Sequence, residues 1–135
     1  MGVGPNYVLD KGFLVQGVTA IVFGELAVDG TVEQSVVRSG ASGDVLGVFQ
    51  ETVDAVRVTT GKVFADVRLL GISRVLTGAA VAKGDRLVAD AAARAVASPR
   101  SIAGALAPRV FGRALTAAAG AGLYIDVLLT PGSTN

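Results

Sequence analysis

The sequence predicts an all-β fold: a small β-sandwich or β-barrel-like domain of short strands, with an extended N-terminal arm and at most one short helix. Three observations point there. Hydrophobic residues make up 51% of the 135, but Ala and Val dominate them and aromatics reach only 5%. Glycine occurs 18 times and interrupts the apolar runs every several residues, as in short strands joined by turns. One segment, 62–70 (KVFADVRLL), alternates with a period of two. Val63, Ala65, Val67 and Leu69 fall on one face; Phe64, Asp66, Arg68 and Leu70 fall on the other. Charge confined to one face marks a half-buried strand.

The elements follow in order. Residues 1–12, with Gly2, Gly4 and Pro5, read as an extended arm ahead of a single β domain spanning 13–130. Residues 13–23 (FLVQGVTAIVF) are β-prone, and Gly17 makes them one bent strand or two. Asp29-Gly30 is a turn signal leading into 31–38 (TVEQSVVR). After the small-residue turn 39–43 come two short apolar runs, 45–49 (VLGVF) and 53–59 (VDAVRVT), the second ending at Thr60-Gly61. The Ala content of 78–97 and the i,i+4 pair Asp90/Arg94 favour a helix. Against that, Lys83-Gly84-Asp85 is a turn, and 86–89 and 94–97 have strand length, so a hairpin about 90–93 is the preferred reading. Pro99, Gly104 and Pro108 make 98–109 a loop or single helical turn projecting from the domain. Residues 110–115 and 123–129 supply the last strands, with small residues over 116–122 between them and a tail at 131–135.

A weak internal repeat runs through this pattern. Val45-Leu46-Gly47-Val48 is similar to Val110-Phe111-Gly112-Arg113, and 63–69 is similar to 123–129. From Gly47 to Asp66 is 19 positions; from Gly112 to Asp126 it is 14. Chance likeness of two strands in a Val-rich β protein is one reading. The other is two related β units packed together.

Composition excludes several chemistries. There is no Cys and no His, which removes thiol nucleophiles, disulfides, imidazole acid–base catalysis and the usual zinc sites. Lys and Arg number 12 against 11 Asp and Glu, spread along the chain, so no basic patch invites nucleic acid. Uncharged runs such as 13–24 and 114–125 fall well short of the roughly 20 apolar residues of a membrane span. The first ten residues lack the early positive charge and apolar stretch of a signal peptide. Asp66 and Asp126 each interrupt an apolar strand, which suits either a paired acid and base or two solvent-facing carboxylates near Arg68 or another strand's arginine. Residues 39–43 have the wrong order for a nucleophile elbow, and Gly120 to Gly122 lack both phosphate-loop patterns. The expectation is a protein without catalytic residues, cofactor or metal.

The order of the small-residue β patterns carries more. Asn6-Tyr7-Val8 precedes a Gly and an apolar strand, and Gly43-Asp44-Val45-Leu46-Gly47-Val48 enters a strand through a Gly-Asp turn. Residues 81–90 (VAKGDRLVAD) lead to Arg94-Ala95-Val96, and 110–115 (VFGRAL) lead to the closing strand. Over residues 6–130 this series resembles the capsid decoration, or cement, proteins of tailed bacteriophages. Residues 98–109 are longer, and 49–74 more charged, than that family's pattern.

The resemblance implies a non-enzymatic protein of the virion, assembled in the host cytoplasm, that binds the outer surface of the assembled head and stiffens it. Its partner would be the major capsid protein, and the chain itself a homo-oligomer, a trimer by likeness to the family, with no nucleic acid and no membrane. An extended arm adds a strand to a neighbour's sheet edge, which singles out Tyr7, Val8 and Leu9 as contacts. Ile102 and Leu106 are the corresponding apolar contacts on the projecting loop. Two alternatives remain. One is another virion structural β protein, from the tail or a minor capsid component. The other is a small carbohydrate-binding module, which calls for clustered exposed aromatics in a chain with no Trp and two Tyr.

Overall fold

The computed structural model describes residues 7–41, 43–98 and 109–134. The fold is all-β. Strands β1 (Leu9–Val15), β2 (Leu26–Asp29), β3 (Ser35–Arg38), β4 (Val45–Phe49) and β5 (Phe64–Leu70) close into a barrel in the order β1-β3-β2-β4-β5. A single helical turn, α1 (Ala55–Thr59), sits between β4 and β5. Strands β6 (Ile72–Leu76), β7 (Arg86–Ala89), β8 (Ala95–Ala97), β9 (Arg109–Ala114) and β10 (Tyr124–Thr134) form a second sheet ordered β6-β10-β9-β7-β8.

The two sheets are wired alike. Ala27 faces Gly47 in the first as Leu87 faces Gly112 in the second. Phe49 faces Val67 as Ala114 faces Val127, and Gly12 faces Asp66 as Arg74 faces Asp126. A parallel pair, Val15 with Val36, closes the first barrel; the parallel bridge Thr77 with Ala95 joins the edges of the second. The chain is one five-stranded unit in tandem. The five residues of α1 account for the longer Gly-to-Asp spacing of the first copy.

Local chemistry recurs at matching places. Gly24 and Gly84 take φ of 90° and 91°, a left-handed conformation that suits glycine. Each sits in a turn tied by the acid that follows it. Val22 N–H donates to Glu25 Oε1 (2.8 Å), and Ala82 N–H donates to Asp85 Oδ2 (2.9 Å). Gly47 and Gly112 lie where another backbone comes too close for a side chain. A Cβ on Gly47 would stand 2.4 Å from Arg68 O, and one on Gly112 2.8 Å from Leu128 O.

The copies differ where they meet. In the first barrel Leu14 N–H donates to Gln34 O (3.0 Å). Its counterpart, Leu76 N–H, instead donates to Gly24 O of the first barrel (3.0 Å), while Leu26 N–H donates to Ala93 O (2.8 Å). Residues 24–26 are therefore wedged into the seam that would otherwise close the second barrel. Strands β2 and β4 are consequently buried on both sides. Ala27 and Phe49 fill the first core, whereas Leu26, Val45 and Val48 join Val75, Leu87, Phe111, Ile125 and Val127 in the second. Apolar residues on both faces explain why 45–49 shows no alternation. An ion pair locks the wedge. Glu25, 3% exposed, receives Arg38 Nη2 at 2.7 Å and Nε at 3.1 Å, and Nη2 also donates to Ala92 O across the seam (2.8 Å). The hydrogen bond to Glu25 holds the Arg38 guanidinium above its usual pKa.

Several elements depart from the sequence reading, and one ambiguity is resolved. Residues 53–59 are not an extended run: Asp54 Oδ1 accepts Arg57 N–H (2.8 Å) and caps α1, which buries only Val58. Residues 9–12, expected in the arm, are the first half of β1 and pair with β5. Residues 131–134, expected as a tail, continue β10, with Ser133 and Thr134 pairing with Val110 and Arg109. A register shift between Leu129 and Ser133 accommodates Pro131, which has no N–H to give the ladder. The stretch 86–97 is a hairpin, β7 pairing with β8. Asp90 and Arg94, at helical spacing, instead close its turn: Asp90 Oδ1 accepts the N–H of Ala92 (2.8 Å) and of Arg94 (2.9 Å).

Candidate functional site

The feature most suited to a partner is an apolar band at the seam between the two units. Strand β5 leads into β6 through one residue, Gly71. On one side of it Leu9 stands opposite Leu70, and on the other Ile72 stands opposite Leu128. Leu9, Leu70 and Leu128 are each more than 40% exposed, and Tyr7 is 83% exposed. Val8 packs against Gly71 so closely that a Cβ there would lie 2.9 Å from Val8 Cγ1. Asp10 and Arg68 bound the band with a two-pronged ion pair (2.8 and 3.1 Å), and Arg68 Nη1 donates to Ile72 O (3.0 Å). Covering the exposed half of one such leucine is worth about 1 kcal/mol, so a contiguous group favours a partner over water.

Of the residues the sequence singled out, Tyr7, Val8 and Leu9 lie in this band. Leu9 already pairs with Leu70 in its own barrel, so Tyr7 and Val8 are the ones that precede the ladder. Ile102 and Leu106 lie outside the described residues. Asp66 and Asp126 occupy equivalent positions on the exposed outer faces of two different units, opposite Gly12 and Arg74, rather than together at one site. Leu70 and Leu128 belong to the band without having been picked out. The signal for Leu70 was available: the alternation of 62–70 places it, with Phe64, on the charged outer face.

Other hollows offer less. A groove of about 240 Å³ is lined by Gln16, Gly17, Thr19, Val37, Arg38 and Ala91, among others. Its cation, Arg38, is already bound to Glu25 and Ala92 O. Among the described residues no three His, Cys, Asp or Glu side chains are grouped to hold a metal ion, and no helix is long and apolar enough to cross a membrane.

No protein family matches the sequence, and no curated protein matches it. Among solved structures the fold recurs in the N base of the head fiber protein gp8.5 of bacteriophage phi29. The two superpose with a TM-score of 0.64 at 16% identity, over 93% of this chain and 96% of that one. The fold is therefore shared over most of both chains at low sequence identity.

Proposed function

We propose that this chain is a structural protein of a phage head, which binds the outer surface of the assembled shell as a decoration protein. One observation carries the reading: the fold matches a head fiber base over nearly the whole of both chains. The seam band supplies a mechanism. Tyr7, Val8, Leu9, Leu70 and Leu128 are buried against the major capsid protein or between copies, and stabilisation follows from apolar area removed from water. No acid, base or metal takes part. Copies arranged about a shell symmetry axis, three in the favoured arrangement, would each present the same band.

The neighbour's description as a base favours a second reading, in which this unit anchors a fibre on the head. Both readings place the chain on the head and separate it from a tail component or a glycan-binding module. The test is sedimentation of the purified protein with undecorated shells and, in parallel, with isolated tails. Saturable binding to shells at a fixed ratio to the major capsid protein is expected. Binding to tails alone, or to neither immature nor expanded shells, overturns the proposal.

A further inference from the structure

A straight row of residues crosses the outer face of the second unit. Ile72, Leu128, Arg113 and Arg86 stand directly opposite one another in turn on β6, β10, β9 and β7. Residues so paired share a face. The corresponding row in the first unit is Asp10, Arg68, Val48 and Leu26, and its polarity runs the other way. Val48 and Leu26 are fully buried beneath the second unit, whereas Arg113 and Arg86 at the same places are exposed. Arg68 is neutralised by Asp10; Arg113 and Arg86 face each other.

Among the described residues these cations have no carboxylate in an ion pair. Ion pairs among the described residues join Arg38 to Glu25, Arg68 to Asp10 and Arg109 to Asp44, and none reaches Lys83, Arg86 or Arg113. Asp85, the nearest acid in sequence to Lys83 and Arg86, turns to Ala82 N–H (2.9 Å), and Asp126, the nearest to Arg113, stands opposite Arg74. The Arg113 guanidinium lies over the adjoining turn, 3.6 Å from where a Cβ on Gly84 would stand, beside Lys83 in the chain. Residues 1–6, 42, 99–108 and 135 contain no Asp or Glu that would supply a missing partner. Two like charges directly opposite weaken a sheet, so folding alone gives no reason for this pair.

We infer that this row docks an acidic segment of a partner protein, its carboxylates taken by Arg113, Arg86 and Lys83 and an adjoining apolar side chain by Leu128 and Ile72. Guanidinium groups match carboxylates in two-pronged geometry, and the apolar half of the row gives a phosphate backbone nothing to bind. The inference rests on the head reading only in taking the shell as the source of the acidic segment.

The test compares the wild type with the double charge reversal Arg86→Glu/Arg113→Glu in sedimentation with undecorated shells, over a range of salt. Expected are wild-type binding that weakens as salt rises, a loss of at least tenfold in the reversal, and retention in Arg86→Lys/Arg113→Lys. Lys11→Glu/Lys62→Glu, a double reversal of the same charge change at exposed lysines of the other unit, controls for net charge and should bind as the wild type does. Equal shell binding by wild type and reversal overturns the inference and leaves the head reading intact. Should the wild type fail to bind shells, the head reading fails and a labelled peptide of alternating Glu and Leu decides by fluorescence anisotropy. Binding abolished by the reversal supports the acidic-segment site. No wild-type binding, or preferential binding of an oligothymidylate, overturns it.

Discussion

The two halves of this chain share strand order and register yet differ in how they close. In the first, Leu14 and Gln34 join the barrel directly; in the second, residues 24–26 of the first half stand in the same gap. The difference shows how a tandem pair becomes one body. The first unit gives up the outer face of β2 and β4 to the second unit's core, through Leu26, Val45 and Val48. The equivalent face of the second unit carries Arg86 and Arg113.

The largest test of this asymmetry is Arg38, whose counterpart in the second unit is Ala97. Arg38→Ala leaves Glu25 buried without its cation and removes the bond to Ala92 O. A loss of about 3–4 kcal/mol is expected in denaturant unfolding, since breaking a buried pair strands a charge. The pH dependence has a definite sign. A guanidinium pKa raised by Glu25 makes its stabilisation fully present below the ordinary arginine value and lost only above it. The arginine's share should therefore stay flat from neutral to mildly alkaline pH. A large stability change between pH 7 and 9 that Arg38→Ala abolishes would count against this account.

The paired glycines come next. Gly47→Ala pushes a methyl to 2.4 Å from Arg68 O and 2.7 Å from Val67 Cγ1; Gly112→Ala pushes one to 2.6 Å from Val127 Cγ1 and 2.8 Å from Leu128 O. Overpacking against backbone typically costs about 1–3 kcal/mol, so roughly 3 for Gly47 and 2 for Gly112 are expected. Equal costs would mean that β4, buried on both sides, adapts as readily as β9.

These glycines also explain what was readable in advance. The repeat shows through at Gly47/Gly112 and at 63–69 against 123–129 because those strands meet the same demands in both units: close backbone approach and an inward Val67 or Val127. It fades at β2 against β7, where Leu26 and Arg86 hold one position under opposite demands. The outward row reads as scatter in a single chain, since its neighbours come from four strands. Helix α1 was missed because Val53, Val56 and Val58 have β propensity, although Asp54 ahead of the run is a cap signal. In the seam band, Tyr7 to Leu9 are singled out by the sequence as contacts of an extended arm. Leu128 did not, because inside an apolar strand nothing distinguishes an exposed leucine from a buried one.

A smaller effect separates two aromatics at one position. Tyr124 and Phe64 open β10 and β5, and Tyr124 bonds to the other unit. Its hydroxyl donates to Phe23 O (2.9 Å) and its ring lies 5.6 Å from that of Phe23. Tyr124→Ala should cost about 1.5 kcal/mol from the lost hydrogen bond and ring contact. Phe64→Ala, at a residue 62% exposed, should cost less than about 0.5. Comparable losses would place Phe64 in a contact with another copy, to be read by whether the difference depends on protein concentration.

The smallest expected effect has the opposite sign. Arg86→Glu alone turns a like-charge pair into an opposite-charge pair across β7 and β9, directly opposite Arg113. Such a pair contributes roughly 0.2–1 kcal/mol in a sheet, and removing the repulsion adds to it. The single variant should therefore unfold at slightly higher denaturant concentration than the wild type, with an unchanged slope, and the gain should shrink with salt. The double reversal restores a like-charge pair and should lose that gain. A site where one substitution improves folding while weakening association is one kept for its partner. If Arg86→Glu instead destabilises the chain, the two arginines are doing structural work that the outer row does not reveal, and the case for an acidic partner weakens with it.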